Sequence, residues 1–225
     1  MIRVLVISDD IWHPGEVIVR GLKGLENGGI SLDHVMAARD IVSPGFLRRY
    51  DVVINAKTDQ HSPANKEHAW FDRVTASCMP EDIEEYVREG HGFIALHSGN
   101  SFRSDKTPGM TSLIGNEFIG HPPQCDITVN PVLRHPVTEG IEPFEIHDEH
   151  YMIRLLQDDL TVFLESVSDS EAGTQAAGYE RKVGKGVVIA LTPGHTLAVL
   201  ENPMYQKLLT NAILYAASFS EETHV

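Results

Sequence analysis

Short apolar runs alternate with amphipathic stretches along the chain, which is the pattern of strands and helices that follow one another. The runs at residues 3–8 and 92–96 are apolar almost throughout, which predicts parallel strands buried on both faces. The same patterning predicts helices at residues 17–25, 81–89 and 203–219, and further strands at residues 32–37, 51–55, 161–167, 176–179 and 187–191. Residues 101–143, rich in Gly, Pro and polar side chains, are expected to be irregular. We therefore predict an α/β fold with a doubly wound, mostly parallel sheet, helices on both faces and one domain over residues 1–225.

Polar and titratable side chains directly follow four of the predicted strands. His97 and Ser98 come after the strand at residues 92–96, in a tight turn that contains Gly99. The other three strands are followed by Asp9, Asp10 and His13; by Asn55, Asp59 and His61; and by Thr192 and His195. Ligands of doubly wound sheets bind beyond the carboxyl ends of the strands, so these side chains mark the expected site.

The charge balance narrows the range of partners. The chain has 32 acidic and 18 basic residues and a formal net charge of −14, so we expect neither nucleic acid nor an anionic membrane as a partner. The sequence contains no apolar run of transmembrane length and opens directly as a strand, without the pattern of a signal peptide. Its two cysteines have no metal-type spacing and provide no disulfide framework. We expect a cytoplasmic protein that acts on a small molecule, and the sequence is compatible with a homo-oligomer.

A series of short motifs extends over nearly the whole chain. They are Leu96-His97-Ser98-Gly99, residues 118–123, 135–141, 146–151, 184–186 and 193–195, and Asn202-Pro203. In this order they resemble the trehalose-utilisation (ThuA-like) family. The resemblance implies the class I glutamine amidotransferase-like fold, which is also flavodoxin-like, and a role in the use of trehalose or related sugars.

The chain departs from true amidotransferases at two positions. Those enzymes carry a Cys at the strand exit where this sequence has His97, and a His-x-Glu pair where it reads His195-Thr196-Leu197. Cys78 precedes a predicted helix and does not stand at such an exit. Without a nucleophile to form a glutamyl thioester, we expect no glutaminase activity despite the fold.

Imidazole and carboxylate side chains at one sheet edge predict proton transfer or metal binding. We predict His97, His195 and Glu149 as catalytic residues, Glu149 because it matches the acidic motif of the family. The predicted metal ligands are His97, His121, Glu149 and His195. Residues 101–151 would return over the sheet edge and so bring His121 and Glu149 to the other two. Zinc, nickel or manganese suits such donors, and no nucleotide cofactor is expected.

Three further residues are predicted to bind the substrate, namely Ser98, Asp10 and His61. His13 is a weaker candidate at the same edge. Two classes of function stay open for this set. The first is an enzyme of sugar or keto-sugar chemistry, an isomerase, lyase or hydrolase, and the second is a non-catalytic sugar-binding or partner subunit on an amidotransferase-like scaffold. Titratable groups that converge in one pocket would favour the enzyme, and dispersed, solvated histidines would favour the second class.

Overall fold

A nine-stranded sheet crosses the centre of the computed structural model, which describes residues 1–26, 29–60 and 69–221. The strands are β1 Ile2–Ser8, β2 Ile30–Val35, β3 Val52–Ala56, β4 Gly92–Leu96, β5 Asn116–Gly120, β6 Cys125–Pro131, β7 Phe144–Asp148, β8 Met152–Leu155, β9 Thr161–Val167, β10 Thr174–Val183 and β11 Gly186–Leu191. Their order in the sheet is β2-β1-β3-β4-β11-β10-β9-β6-β7, and β5 pairs with β8 separately. The carboxyl ends of β1, β3, β4 and β11 therefore meet at one edge.

The sheet has a parallel and an antiparallel half. Strands β2, β1, β3, β4 and β11 run parallel to one another. From β11 onward each strand pairs antiparallel with the next, in the order β10, β9, β6 and β7. Strands β3, β4 and β11 are buried at every residue, as expected for parallel strands covered on both faces. The predicted doubly wound, mostly parallel α/β fold is thereby confirmed.

Helices cover both faces of the sheet. They are α1 Gly15–Leu22, α2 Ala38–Ile41, α3 Pro44–Leu47, α4 Pro80–Arg88, α5 Pro108–Ile114, α6 Leu197–Leu200 and α7 Pro203–Glu221. Alternation along β1 sends Val4 and Val6 into the apolar layer that contains the α1 and α7 side chains, and Leu5 and Ile7 into the layer that contains those of α4 and α5. A large aliphatic side chain buried in this way stabilises the fold by about 1.5–3 kcal/mol.

The closing helix has the apolar stripe that its sequence predicts. Five of its side chains are fully buried against the sheet, namely Leu208, Leu209, Ala212, Ile213 and Ala216. Their spacing of three and four residues places them on one face of α7. The helix thus packs on one face of the sheet, over the neighbouring strands β4 and β11.

The prediction that residues 101–143 are irregular is wrong. They contain α5, β5 and β6, and the strands β7 and β8 that follow were also missed. The reason is one-sided burial. In β6 only Ile127 and Val129 are buried, so the strand lacks the continuous apolar run that revealed β4. Prolines and glycines between these short elements obscure the rest of the pattern.

His61, predicted to bind substrate, lies outside the described residues. Among the residues that are described, no helix is long and apolar enough to cross a membrane.

Candidate functional site

The turn after β4 holds His97 in a left-handed backbone conformation. Its φ is 43°, and Asp9 at the end of β1 has a φ of 78°. Such conformations cost roughly 1–3 kcal/mol at non-glycine residues and persist where the surrounding structure imposes them. Here a Cβ atom at Gly99 would lie 2.0 Å from the carbonyl oxygen of Asn55, and the Asn100 amide donates to two strand carbonyls. Packing therefore fixes the turn and aims His97 at the carboxyl edge of the sheet.

Four side chains converge at this edge, and we call them the sheet-edge cluster: His13, His97, Glu149 and His195. One nitrogen or oxygen atom of each lies within 4.8 Å of the others. Glu149 Oε2 is 3.4 Å from His97 Nε2 and 3.2 Å from His195 Nδ1. The three imidazole ring centres are 5.0, 5.2 and 5.4 Å apart. Residues distant in sequence thus form one compact centre.

The outer ring nitrogens of two histidines are held by the protein. His97 Nδ1 donates to the Thr192 carbonyl oxygen at 2.8 Å, and His13 Nδ1 donates to Asp10 Oδ1 at 2.8 Å. These bonds fix the proton on Nδ1, so that in each neutral ring Nε2 carries a lone pair. Within the described structure, these two Nε2 atoms and Nδ1 of His195 are buried without a well-formed hydrogen bond. Three unsatisfied imidazole nitrogens therefore face one carboxylate.

Buried hydrogen bonds also position the rest of the cluster. The Asp148 carboxylate accepts from the backbone amides of Gly194 at 2.7 Å and His195 at 3.1 Å, which ties the segment after β7 to the segment after β11. His150 contacts two serine hydroxyls through its two ring nitrogens, at 2.7 and 2.8 Å. Glu149 is thereby held between two anchored neighbours, and its carboxylate is fixed toward the three rings.

The charges of the cluster suit a cation. Burial opposes ionisation of Glu149, but its contacts with His195 and His97 outweigh burial and lower its pKa. Burial lowers the pKa of His13 although Asp10 opposes the effect, so this ring is held neutral. The contact with Glu149 raises the pKa of His195 against its burial. An ionised carboxylate and neutral imidazoles are the forms that bind metal ions, and binding would displace any proton held by His195.

A cavity of about 670 Å³ opens onto the cluster. His13, His121, Glu149, Tyr151 and His195 line it, together with polar and aromatic side chains nearer its mouth. The Tyr151 ring packs against His97 with a centre distance of 4.3 Å. Burial raises the pKa of this tyrosine far above its usual value, so its hydroxyl stays protonated. The volume lies within the roughly 300–1,000 Å³ typical of small-molecule sites.

The predicted site residues occupy different places around this centre. The structure brings His97, Glu149 and His195 together, whereas His121 lies outside the cluster, with its Nε2 3.6 Å from Glu149 Oε2 and its Nδ1 donating to the Pro122 carbonyl. His13 occupies the place in the cluster that was predicted for His121. It lies five residues beyond the end of β1, at the same sheet edge, and this position is the only signal that the sequence offered.

Two of the predicted substrate-binding residues are buried beneath the site. Asp10 is 1% exposed, and its carboxylate accepts from Trp12, His13 and Thr58 of the protein itself, so it orients His13 and is not free to bind a substrate. Ser98 is 2% exposed in the turn after β4. Neither position favours the direct contact that was predicted.

The buried cysteine that precedes α4 offers no nucleophile. Cys78 is buried, and burial raises the pKa of its thiol to about 12. The thiol therefore stays protonated at neutral pH, which makes it a poor nucleophile. The expectation that glutamine is not hydrolysed remains a prediction, and it rests on His97 at the strand exit.

The fold is that of class I glutamine amidotransferase-like proteins. The structure is similar to that of PurLQS from Thermotoga maritima, with a TM-score of 0.62 at 15% identity over 96% of this chain and 99% of that one. It is also similar to ThuA-like proteins from Parabacteroides merdae (TM-score 0.74, 18% identity, 96% and 90% covered) and Bacteroides uniformis (TM-score 0.70, 20% identity, 94% and 89% covered). At such identities these likenesses establish the fold alone.

The sequence itself establishes the family. Residues 3–216 match the ThuA family, described as trehalose utilisation. The chain therefore belongs to the ThuA family. No curated protein matches it.

Proposed function

We propose that this chain is a metal-dependent enzyme of carbohydrate metabolism that acts on trehalose or a related sugar or keto-sugar. The proposal rests on one observation above all. Three imidazole nitrogens of the sheet-edge cluster are buried, lack a well-formed hydrogen bond in the described structure and face the Glu149 carboxylate within 4.8 Å. Burying polar atoms without partners costs free energy, and a bound cation would satisfy all three at once.

The ring orientations favour a metal over a shared proton. A metal-ligating histidine almost always donates its other N–H to a carboxylate or a backbone carbonyl. His13 does so to Asp10 and His97 does so to Thr192. A proton shared between His195 and Glu149 would use one of the three inner nitrogens and leave the other two unexplained. The proposed ligand set is therefore His13, His97, His195 and Glu149, with His13 in place of His121.

The donor set indicates the kind of ion. Three imidazoles and one carboxylate suit zinc, nickel or manganese, whereas magnesium and calcium prefer sites built from oxygen atoms. When bound, such an ion would polarise a carbonyl or hydroxyl oxygen of the substrate. Four protein donors still leave an open position for substrate on a five- or six-coordinate ion.

Two side chains beside the cluster fit roles in proton transfer. His121 lines the cavity on the outer side of Glu149, and its Nδ1 proton is committed to the Pro122 carbonyl. Its Nε2 can therefore accept a proton from a substrate carbon or hydroxyl and return it. Tyr151 keeps its proton and can donate a hydrogen bond to a substrate oxygen. Such a pair suits isomerisation or elimination next to a sugar carbonyl.

A non-catalytic sugar-binding subunit on the same scaffold is the competing function. That reading predicts histidines dispersed over a solvated surface. His13 is 8% exposed and His97 1% exposed, and both belong to one ordered cluster on a cavity. Convergent, buried titratable groups support the enzyme. The two free cysteines, Cys78 and Cys125, are compatible with the reducing cytoplasm in which we place it.

Metal analysis tests the proposal directly. Protein purified without chelator, or stripped and reloaded with zinc, nickel or manganese, should hold about one ion per chain by elemental analysis. The loaded protein should then exchange a C–H proton next to the carbonyl of a keto-sugar for deuterium in D₂O, as followed by NMR. Failure to retain any of the three ions would overturn the metal assignment. Retention without exchange or other conversion of the sugar would favour the binding subunit.

A further inference from the structure

Trp12 lies at the mouth of the cavity and is largely exposed. Its side chain is 68% accessible, whereas Trp70, the other tryptophan of the chain, is 1% accessible. An exposed large aromatic residue on a cavity wall forgoes the burial that stabilises the other tryptophan. Such a residue is more informative than a single exposed leucine on an open surface, because it is available to a ligand that enters the cavity.

The backbone that carries Trp12 is held by hydrogen bonds to Asp10. Asp10 and His13 exchange two main-chain hydrogen bonds, of 3.2 and 3.3 Å, across a tight turn. Asp10 Oδ1 accepts from the Trp12 amide at 2.9 Å and from the His13 amide at 3.0 Å, in addition to the His13 ring. The same carboxylate therefore positions the exposed indole and a ligand of the proposed metal. A ring that packs on Trp12 would consequently be held in fixed relation to the sheet-edge cluster.

The remaining wall of the cavity is polar. It includes the side chains of Thr58, Gln60, Ser101 and Arg103, which offer hydroxyl, amide and guanidinium groups. One flat aromatic face beside several hydrogen-bonding groups matches a saccharide. The ring C–H groups of a pyranose form an apolar face with a slight positive charge that packs on the negative face of an indole. Its hydroxyl groups point outward in the ring plane, where they can meet the polar wall.

We propose that Trp12 is the platform on which a pyranose ring of the substrate stacks, with the reacting end of the sugar directed toward the sheet-edge cluster. This inference rests on the proposed function for the direction of the sugar but not for the stacking itself. It assigns substrate positioning to a residue that lacks proton-transfer and metal-ligating groups. A rigid platform also lowers the conformational entropy lost on binding.

Sugar binding to variants of the full chain tests the platform. Glucose and trehalose are titrated by calorimetry into metal-loaded wild type, Trp12→Ala, Trp12→Phe and Leu214→Ala. Leu214 is a matched control, since it is 47% exposed and lies on α7 away from this cavity. We expect binding of the better sugar to weaken by about tenfold in Trp12→Ala, as for the loss of an aromatic contact. Trp12→Phe should retain most of the affinity, and Leu214→Ala all of it.

Fluorescence adds a readout specific to this residue. Because Trp70 is buried, a saturable change of tryptophan emission on adding the sugar should occur in wild type and disappear in Trp12→Phe. Equal sugar affinity in wild type and Trp12→Ala would overturn the proposal, as would the absence of binding by either sugar. A change of sedimentation behaviour in Trp12→Ala at unchanged sugar affinity would instead assign the indole to a contact between copies.

Metal content, measured on the same samples, separates this inference from the proposed function. All four proteins should hold the same amount of metal. If wild type binds no metal, and its affinity for the sugar is still higher than that of Trp12→Ala, the platform stands and the metal assignment fails. If metal is retained and the sugar affinity does not depend on Trp12, the platform alone is wrong.

Discussion

Two groups that pair buried imidazole and carboxylate side chains lie in different parts of this molecule, and they differ in how many of their buried polar atoms have hydrogen bonds. One is the sheet-edge cluster. The other, which we call the helix-face cluster, consists of His135, Glu180, Lys182 and Tyr215 and lies where β10 meets α7. In each, a largely buried histidine lies 3.3 to 3.4 Å from a glutamate oxygen. Their chemical groups are therefore similar, and the comparison isolates the effect of their surroundings.

In the helix-face cluster most polar atoms find partners within the protein, and among its described atoms Glu180 Oε2 is the one buried without a well-formed hydrogen bond. His135 Nδ1 accepts from the Val137 amide at 3.2 Å, and its ring stacks on Phe163 with a centre distance of 4.6 Å. Nε2 of His135 and Nζ of Lys182 approach the same oxygen of Glu180, at 3.3 and 3.4 Å. Lys182 also donates to the Tyr215 hydroxyl at 2.6 Å. One imidazole and one ammonium group thus compensate the charge of the Glu180 oxygen that lacks a well-formed hydrogen bond.

In the sheet-edge cluster the hydrogen bonds to the protein are made by the outer ring nitrogens and not by the inner ones. The protein fixes the outer nitrogens of His13 and His97 but leaves their inner nitrogens without a well-formed hydrogen bond among the described residues. A satisfied polar network stabilises a fold, whereas an unsatisfied one destabilises it until something binds. We therefore expect the helix-face cluster, which has one such atom and a cationic neighbour, to serve stability, and the sheet-edge cluster, which has three, to serve function.

The largest expected effect comes from His97→Ala. Loss of this ligand should weaken zinc binding by at least about 100-fold, more than is usual for a residue that only supports a ligand. The metal-free variant should also lose about 1–3 kcal/mol of stability, because the buried bond from Nδ1 to the Thr192 carbonyl and the packing on Tyr151 are lost with the ring. His135→Ala should leave the zinc affinity intact and lower the stability by about 2–3 kcal/mol, so that zinc affinity distinguishes the two variants.

His147→Ala provides the matched control for both variants. His147 lies 2.8 Å from Asp126 on the surface, so it reproduces the imidazole–carboxylate contact without burial. Neither zinc affinity nor the urea midpoint should change measurably. Equal losses of zinc affinity in His97→Ala and His135→Ala would show that the two clusters do not divide these roles.

The sequence predicts the parallel half of the fold far better than the antiparallel half. Strands such as β4 are buried on both faces and appear as continuous apolar runs, so their predicted bounds are nearly those observed. β6 and β7 are buried on one face only, and their alternating pattern is short. The position of the site could be predicted, because it depends on the ends of the parallel strands.

The composition of the site could be predicted only in part. His97 and His195 leave neighbouring parallel strands, so their approach follows from the order of β4 and β11 in the sheet. The choice between His13 and His121 depends on the tight turn at Asp10 and on the carbonyl that holds the His121 ring. Such details depend on loop geometry that no periodicity encodes. For the same reason, the burial of Asp10 beneath His13 could not be predicted from the sequence.

A smaller effect on the sheet-edge cluster is expected from Asp10→Asn. The Asp10 carboxylate holds the proton of His13 on Nδ1. Burial alone would raise the pKa of Asp10, but the contacts with His13 and with backbone amides outweigh it and lower the pKa. An amide can present its NH₂ group to the ring and reverse the tautomer. Zinc affinity should fall about 10- to 100-fold, and Trp12 stacking should also weaken, since the same turn carries both residues. Calorimetric zinc titration measures the first effect, and Thr210→Ala, a polar change on α7, should leave it unchanged.

The smallest effect concerns pH and the helix-face cluster. Burial alone would raise the pKa of Glu180, but contacts with His135, Tyr215 and Lys182 outweigh it and lower the pKa to about 2. A carboxylate with a lowered pKa stabilises the fold above its unfolded-state pKa of about 4.3, and this contribution is lost as the pH falls toward 2. Glu180→Gln should therefore cost about 1–2 kcal/mol at pH 6 and about half as much at pH 3, as measured by urea unfolding of metal-free protein. Glu145→Gln, at an exposed site on β7, should cost little at either pH. An equal cost of Glu180→Gln at both pH values would mean that shape and packing, rather than charge, make this cluster stabilising.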